Sequence, residues 1–416
     1  MGVSAAGVSE PASAVVPEHL RYRWAMLAGL WLVYFSFGLI SASLAPLVGP
    51  ITAEFGLSHA AMGTVLGAWQ LCFIAAAAPC GALLDRYGIR RCLVIAGIVI
   101  ALSTLLRASA RDYVTLLLAV AVFGIGGPLV SVGAPKLIGQ WFGQVDRGLA
   151  MGIYMSGVSL GNVTALALTN SVMMPLFGGA WRSVLIAYAV FVLAITAIWL
   201  AIASHPASRT VERHAAAEPK RSQREVFGGL LRLRGVQIVL AMAVGIFGVN
   251  HALNQWLPEI LRAGGMAPEA AGYWSSLPTA VGILGALVIP RFAGPRRRYT
   301  ILSLLFLCAG AATLLIHSSN QTVLGAALIC QGIARSSMMP VTMLMLMDAR
   351  GVDLRNVGAA GGLFFSTAEI GGVLGPVMLG AVSDATGGFT GGLFLLTGIC
   401  AVLLALLWLL KREQRA

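Results

Sequence analysis

Charged residues are scarce in this chain. Asp, Glu, Lys and Arg together supply 11% of its 416 residues, whereas hydrophobic residues supply 58%. A soluble globular domain carries about 25% charged residues, so a charge content this low excludes a soluble globule of this length. Apolar stretches of about 20 residues recur from end to end, and each is long enough to cross a hydrocarbon core of roughly 30 Å. We therefore expect a bilayer to solvate most of the chain.

The sequence also lacks the motifs of common enzyme classes. It contains no phosphate-binding G-x-x-x-x-G-K-[ST], no H-E-x-x-H and no C-x-x-C. The six cysteines have no metal-ligand spacing, and we interpret them as small buried hydrophobic residues. We therefore expect neither an enzyme nor a bound metal or cofactor. The missing phosphate-binding motif leaves any process driven by ATP without support.

Twelve apolar segments predict an all-α integral membrane protein made of two pseudo-symmetric six-helix bundles. The predicted helices span residues 23–49, 58–84, 90–108, 112–140, 147–175, 181–204, 235–262, 268–292, 299–318, 321–347, 355–383 and 389–410. Residues 1–20 lack the basic start and short apolar core of a cleavable signal, and they are expected to form a disordered tail. The bundles then cover residues 21–204 and 235–410, with a cytoplasmic linker at 205–234 and a tail at 411–416.

Basic residues are distributed unevenly about these segments. Of 28 Lys and Arg residues, two lie inside helices, and four lie on one side of the predicted membrane: Arg107, Arg111, Arg182 and Arg262. The remaining 22 lie at the termini, in the linker and in every second loop. Because basic loops stay in the cytoplasm, both termini are predicted to be cytoplasmic in a multi-pass protein of the bacterial inner membrane. Topology thus explains the net charge of +12, and nucleic acid is not an expected partner.

The two halves resemble each other at a constant offset of 210 residues. Arg147–Val163, at the start of the fifth helix, aligns without gaps to Val357–Val373, at the start of the eleventh. Six pairs are identical: Gly148/Gly358, Ala150/Ala360, Gly152/Gly362, Ser156/Ser366, Gly161/Gly371 and Val163/Val373. By analogy with transporters built from parallel repeats, we expect a substrate site at mid-membrane between the halves.

The loop after the second helix carries a glycine- and arginine-rich motif, Gly81-Ala82-Leu83-Leu84-Asp85-Arg86-Tyr87-Gly88-Ile89-Arg90-Arg91. It resembles the G-x-L-x-D-R-x-G-R-R signature of the major facilitator superfamily, in the loop where that family carries it. Glycine permits close helix approach and tight turns, and Asp85 is placed to pair with an arginine or to cap a neighbouring helix. The resemblance implies a gate made of Gly81, Asp85, Arg86, Gly88, Arg90 and Arg91.

Other stretches bear on the substrate class. The fifth helix reads Gly157-Val158-Ser159-Leu160-Gly161-Asn162 and lacks the G-x-x-x-G-P signature of drug/proton antiporters. Asn254–Leu261 in the seventh helix and Arg147–Gly152 in the fifth are similar to the cyanate-permease-like subfamily. That resemblance implies a small anion as substrate without naming which one.

Three charged side chains stand out as candidates within the predicted spans, where charge is costly and usually functional. Arg335, at mid-depth in the tenth helix, can clamp a carboxylate or small oxyanion through two parallel hydrogen bonds. Its alternative role is a structural pair with Glu369. Glu369, at a similar depth in the eleventh helix, is the candidate proton carrier. Lys136 in the fourth helix is a candidate for attracting the anion along the inner pathway, and snorkelling to the headgroups is the alternative.

Uncharged polar side chains complete the predicted site. Asn250 and Asn254 are four residues apart on the seventh helix and share a face, and His251 can titrate near neutral pH. The alternative role of His251 is that of a satisfied interhelical histidine, and the alternative role of Tyr34 is helix packing or a position in the interface belt. The predicted substrate contacts besides Arg335 and Lys136 are Asn162, Tyr34, Gln70, Asn250, His251 and Asn254.

These features support three functional hypotheses. The first is a secondary carrier, expected to be monomeric, that moves a small monocarboxylate-like anion by alternating access with a proton as coupling ion. Transport of an inorganic anion such as cyanate or nitrate is a variant of it. The second is proton-driven efflux of an amphipathic drug, which needs a broad apolar cavity and no obligatory arginine. The third is a transporter-like sensor, which normally needs a signalling appendage.

Overall fold

The computed structural model describes most of the chain, namely residues 17–208, 228–318, 320–349, 351–352 and 357–413. Parts of three predicted segments lie outside these residues. They are residues 1–16 of the N-terminal tail, residues 209–227 of the linker and residues 414–416 of the C-terminal tail. The last residues of the predicted N-terminal tail, from Pro17 onwards, are helical.

Twelve long helices and no strand occupy the described residues, in agreement with the predicted all-α class. They are α1 (Pro17–Ala42), α2 (His59–Tyr87), α3 (Ile89–Ala108), α4 (Tyr113–Trp141), α5 (Gln144–Leu168), α6 (Trp181–Ala203), α7 (Arg234–Ala263), α8 (Pro268–Phe292), α9 (Arg298–Leu315), α10 (Gln321–Met347), α11 (Val357–Thr386) and α12 (Phe389–Glu413).

Helix α1 is interrupted, whereas the sequence predicts one helix over residues 23–49. It ends at Ala42, and a 3₁₀ turn at Ala45–Leu47 and a short helix at Val48–Phe55 follow. The interruption occurs at Pro46, which has no backbone N–H to donate into a continuing α-helix.

A buried arginine anchors the carbonyl end of α1. Arg107, in the last turn of α3, is 2% exposed, and its Nη1 donates to the carbonyl oxygen of Ile40 at 3.3 Å. Its guanidinium also lies 5.2 Å from the ring centroid of Phe123. A cation is favourable at a helix C-terminus because the last carbonyl dipoles point towards it. Arg107 therefore stabilises the point where α1 ends.

Helix α5 also ends in an irregular segment. The predicted helix over 147–175 is found as α5, a π-helical turn at Thr169–Met173 and a final helical turn. Asn170 in the π turn donates its side-chain amide to the carbonyl oxygens of Pro46 (3.1 Å) and Pro268 (3.4 Å). Because Pro268 begins α8, this segment joins the first half of the chain to the second.

Eleven segments of the described chain are long and apolar enough to cross a membrane. The other long helix, α10, has 27 residues and is therefore about 40 Å long at a rise of 1.5 Å per residue. Polar side chains interrupt its apolar sequence, among them Gln331, Arg335, Ser336 and Ser337. Polar groups at membrane depth are costly and usually functional, so α10 is the first helix to inspect for a site.

Helices α1–α6 and α7–α12 form two bundles with matching contacts. In the first bundle α1 packs on α5 and α2 on α4, and in the second α7 packs on α11 and α8 on α10. Between the bundles, α2 contacts α11 and α5 contacts α8. Each helix of the first bundle thus corresponds to the helix six places later in the chain, as the sequence repeat predicts.

Loops alternate between two sides of the bundles. The linker side carries the linker and the loop that joins α2 to α3, and the far side carries the first residues of α2 and α8. A Cβ on Gly63 would lie 2.6 Å from the carbonyl oxygen of Pro376, and one on Gly380 would lie 2.3 Å from that of His59. Because only glycine permits backbones to approach this closely, α2 and α11 are in direct backbone contact towards the far side.

Candidate functional site

Arg335 lies at the middle of α10 and is 6% exposed. Its Nη1 donates to the carbonyl oxygen of Asn250 on α7 at 3.2 Å, and the Asn250 side-chain amide donates to the carbonyl oxygen of Arg335 at 3.5 Å. No ion pair among the described residues joins Arg335 to an acidic side chain. The structural pair with Glu369, the alternative role of Arg335, is thus not formed here. Asn254, one turn beyond Asn250, is partly exposed.

Glu369 lies nearest to a histidine. Its Oε2 lies 4.0 Å from Nε2 of His251 on α7, and the residue is 8% exposed. The other ring nitrogen of His251, Nδ1, lies 3.1 Å from Nε2 of Gln70 on α2. Gln70 comes from the first bundle and the other two residues from the second. This Gln70–His251–Glu369 cluster therefore crosses the bundle interface at mid-membrane.

Gly372 makes room for the cluster, and its role was missed in the sequence. A Cβ at this position would lie 2.7 Å from Oε2 of Glu369, 3.1 Å from Cγ of Gln70 and 3.3 Å from Cδ2 of His251. Any larger residue must displace one of these side chains. The sequence feature that could have indicated this role is the group of glycines at Gly371, Gly372 and Gly375. Gly371 and Gly375 bring α11 close to the backbone of α7.

Two predicted contacts lie within the first bundle. The hydroxyl of Ser41 on α1 donates to Oδ1 of Asn162 on α5 at 3.1 Å. The hydroxyl of Tyr34 donates to the carbonyl oxygen of Val130 at 3.5 Å. Both side chains thus join neighbouring helices, and in this conformation their contacts are those of helix packing.

The predicted gate motif forms a turn and an ion pair. Gly88 has a φ of +82°, which L side chains rarely adopt, so the turn into α3 requires glycine. Oδ1 of Asp85 accepts from Nζ of Lys136 on α4 at 2.6 Å. A Cβ on Gly81 would meet no atom within 4 Å, so the close helix approach predicted there is not made. Lys136 is bound to the gate motif, which does not support its predicted role of attracting the anion.

The arginines of the motif lie at the linker side. The guanidinium of Arg86 lies 5.4 Å from the ring centroid of Tyr87. The backbone carbonyl of Arg90 accepts from Nε1 of Trp199 at 3.2 Å, and Arg91 is exposed. These positions fit basic residues at a membrane surface.

A second aspartate joins the two bundles at the far side. Oδ1 of Asp384, near the end of α11, accepts from the backbone N–H of His59 at 3.0 Å, and its Oδ2 accepts from that of Ala60 at 2.7 Å. Nδ1 of His59 also lies 3.0 Å from Oδ1. The first N–H groups of a helix have no partner within the helix. Asp384 therefore caps α2 from the other bundle.

A cavity of about 280 Å³ also opens at the far side. It is lined by Pro46, Pro50, Asn170, Met174, Pro175, Gly179, Arg262, Pro268 and Glu269. None of the predicted site residues lines it, and its Arg262 is paired with Glu259 at 2.5 Å. The candidate site is therefore placed at Arg335 and the Gln70–His251–Glu369 cluster, and not in this cleft.

The fold, the repeat and the gate motif agree with a comparison against known families. The profile of the Major Facilitator Superfamily matches residues 30–328 and 265–416. The chain therefore belongs to the major facilitator superfamily, and it is a multi-pass membrane protein of a transporter family rather than of an enzyme family. The resemblance to the cyanate-permease-like subfamily stays a prediction.

Among characterised relatives, the chain is similar to the hexuronate transporter of Bacillus subtilis (strain 168), at 24% identity over 375 residues and 86% of each chain. It is 25% identical over 378 residues to the quinolone resistance transporter of Acinetobacter baumannii, covering 83% of each chain. It is 24% identical over 340 residues to the gallate transporter of Pseudomonas putida, covering 75% of this chain and 74% of that one.

Solved structures share the fold. A bacterial homolog of the human lysosomal transporter Spinster, in an inward-facing and unoccupied conformation, superposes with a TM-score of 0.76. The match covers 94% of this chain and 97% of that one at 18% identity. The likeness shows the fold.

Proposed function

We propose that this chain is a secondary active transporter that moves a small organic anion across the inner membrane by alternating access, with a proton as the coupling ion. The observation that carries the proposal is Arg335, a buried guanidinium at mid-membrane with no acidic partner among the described residues. An anionic substrate supplies the missing charge.

The chemistry of a guanidinium favours a carboxylate as the occupant. Its planar N–H fork matches two carboxylate oxygens. Among the described residues, the Arg335 guanidinium donates one hydrogen bond, to the carbonyl oxygen of Asn250. The names of two relatives agree, because hexuronate and gallate are both carboxylates.

Drug efflux is the second candidate, and the quinolone resistance transporter is the observation that favours it. An amphipathic drug is bound mainly by an apolar cavity, so its recognition does not require Arg335. Loss of Arg335 thus separates the two candidates, because it abolishes recognition of a carboxylate and leaves that of a neutral or cationic drug.

The Gln70–His251–Glu369 cluster supports proton coupling. A buried carboxylate is costly unless it is paired or neutralised by a proton. Oε2 of Glu369 has no hydrogen-bond partner in the described chain, and Nε2 of the titratable His251 lies 4.0 Å away. The bond from Gln70 to His251 crosses the interface, so gain or loss of a proton here changes a contact that bundle movement must break.

Charge asymmetry supports the orientation, with both termini and the linker in the cytoplasm. Single cysteines introduced at Ser222 and Gln414 are expected to react with a membrane-impermeant maleimide only in inside-out vesicles. A cysteine at Ser109, between α3 and α4, is the matched control and should react only in intact cells. Labelling of Ser222→Cys from outside intact cells would reverse the proposed orientation.

Transport by purified protein in liposomes tests the proposal. Wild-type protein should concentrate labelled galacturonate or gallate when an inward proton gradient is imposed. It should not concentrate the cationic drug ethidium when the proton gradient is reversed to outward, the direction that drives drug uptake by proton antiport. Glu369→Gln should retain exchange of anion for anion but lose accumulation driven by the gradient. Accumulation of ethidium under the outward gradient, with no accumulation of either acid, would replace the proposal with drug transport. Full accumulation of the acids by Glu369→Gln would remove this carboxylate as the coupling group.

A further inference from the structure

Gln331 is a buried polar residue that none of the contacts above uses. It lies on α10 four residues before Arg335, so the two side chains share a face of the helix. It is 1% exposed, and neither its amide oxygen nor its amide nitrogen has a hydrogen-bond partner in the described chain. A buried amide without partners destabilises the structure that contains it, so its presence points to a partner that is not part of the protein.

Helix packing does not account for this amide. At the same level of α10, the contact with α8 is made by Gly332, where a Cβ would lie 2.3 Å from the carbonyl oxygen of Pro278. That backbone approach needs no polar side chain at the neighbouring position. A leucine has similar size and would bury an apolar surface without leaving a donor and an acceptor unpaired.

Other polar groups lie at the same depth. Helices α7 and α10 run in opposite directions, and the carbonyl oxygen of Asn250 accepts from Arg335. Asn254 lies one turn beyond Asn250 towards the far side, and Gln331 lies one turn from Arg335 in the same direction. The two residues are therefore at the same level. On α8, next to Pro278, the hydroxyl oxygen of Thr279 is also buried without a partner. A polar layer thus lies about 6 Å from the Arg335 level, the rise of four helical residues.

We propose that Gln331 binds a hydroxyl group of the substrate whose carboxylate is held by Arg335. An amide offers both a donor and an acceptor, and a hydroxyl group offers both in return. The substrate class is then a hydroxylated carboxylate whose hydroxyl lies at the end of the molecule remote from the carboxylate. This inference rests on the proposed function, because it takes Arg335 as the anion site.

Two rigid acids that differ by one hydroxyl test the inference. Benzoate and 4-hydroxybenzoate share the carboxylate, and the second adds a hydroxyl at the opposite end of the ring. Binding of each to the purified full-length protein in detergent, measured by isothermal titration calorimetry, should favour 4-hydroxybenzoate by about tenfold or more, because a site built for a hydroxyl leaves its own groups unpaired when the hydroxyl is missing.

Gln331→Leu should remove this preference. Its affinity for benzoate should stay within about threefold of wild type, while its affinity for 4-hydroxybenzoate falls to that of benzoate. Its melting temperature should be equal or higher, because a buried unpaired amide is replaced by an apolar side chain. The matched control is Thr342→Val on the same helix, whose hydroxyl is also buried without a partner but lies seven residues beyond Arg335 towards the linker side, and it should keep the preference.

Three results would overturn the inference: equal affinity of the wild type for both acids, an unchanged preference in Gln331→Leu, or an equal loss for both acids accompanied by a lower melting temperature. Measurements on Arg335→Ala distinguish failure of the Gln331 inference from failure of the proposed function. If that variant binds both acids as wild type does, or if the wild type binds neither acid, the anion site itself is wrong.

Discussion

The two ends of the bundle interface each carry an aspartate, and the two aspartates are bonded differently. At the far side, Asp384 accepts from the backbone of His59 and Ala60 and so joins α11 of one bundle to α2 of the other. At the linker side, Asp85 accepts from Lys136 within a single bundle. The far-side contact is therefore one that must break if the bundles separate there, whereas the Asp85–Lys136 bond can persist while they move.

The same contrast extends along the interface. From the far side to mid-membrane, the described residues show close contacts between the bundles at Gly63, Gly380 and the Gln70–His251–Glu369 cluster. At the linker side, Gly81 in the gate motif faces open space. The molecule is thus closed at the far side, and we expect the interface to separate there when the transporter changes state.

The largest expected effect comes from forcing the closed half apart at mid-membrane. In Gly372→Ala the new Cβ would lie 2.7 Å from Oε2 of Glu369, and overpacking of this kind costs about 1–3 kcal/mol. We expect gradient-driven accumulation in liposomes to fall by about tenfold or more. Gly362→Ala is the control on the same helix, because its Cβ would meet no atom within 4 Å. Equal activity of the two variants would show that the cluster tolerates displacement.

A smaller effect is expected at the far-side aspartate. Replacing a helix-capping aspartate by alanine costs about 0.5–2 kcal/mol, which is a factor of up to about 30 in a two-state population. Asp384→Ala should therefore lengthen the distance between spin labels at Ala53 and Glu269, one on each bundle at the far side. Pulsed electron double resonance measures the populations of the two distances.

Asp112 provides the control for that experiment. It caps α4 within the first bundle by accepting from the backbone N–H of Thr115 at 2.8 Å. This hydrogen bond lowers the pKa of the Asp112 carboxyl, so the cap is ionised at neutral pH. Asp112→Ala should lower the melting temperature without changing the distance distribution. If both variants shift the distribution equally, the cap of Asp384 has no special role in closure.

The smallest effect is expected at the linker-side pair. The side chains of Asp85 and Lys136 are 41% and 40% exposed, and exposed ion pairs contribute about 0.2–1 kcal/mol. Asp85→Asn should slow transport severalfold and leave ligand affinity within about twofold of wild type. Lys136→Gln removes the same ion pair and should slow transport by no more than Asp85→Asn does. The loss in the double variant should be smaller than the sum of the two single losses, since the shared bond contributes to both. Additive losses in liposome transport rates would show that each residue acts through another partner.

Much of this architecture could be predicted because membrane insertion constrains the sequence strongly. Each span must satisfy its own backbone hydrogen bonds and be apolar, so the twelve helices were visible as hydrophobic segments. The cost of burying polar groups likewise made Arg335, Glu369 and His251 conspicuous. Gln331 was not among the predicted site residues, because burial of an uncharged amide costs less than burial of a charge. A buried amide without a partner is nevertheless costly, and that cost also indicates a functional residue.

Partner choice could not be read from the sequence. The alternative role of Arg335, a pair with Glu369, rested on similar depth alone, and depth does not determine the direction in which each side chain points around its helix. The contact of Asp384 joins residues 325 positions apart, and only the packing of α2 against α11 brings them together. The interruption of α1 also depends on tertiary contacts, because Arg107 from α3 stabilises its end.

The proposed role of Arg335 is to bind the carboxylate of an organic anion. Its most direct test is the dissociation constant of galacturonate for wild type, Arg335→Lys, Arg335→Ala and the control Lys136→Gln, measured by isothermal titration calorimetry. Arg335→Lys keeps the charge and loses the planar fork, so it should bind with a loss of about 1.5–3 kcal/mol, or roughly ten- to 150-fold. Arg335→Ala should show no binding, and Lys136→Gln should bind like wild type. Binding by Arg335→Ala at wild-type affinity would contradict the claim and favour the drug-efflux alternative.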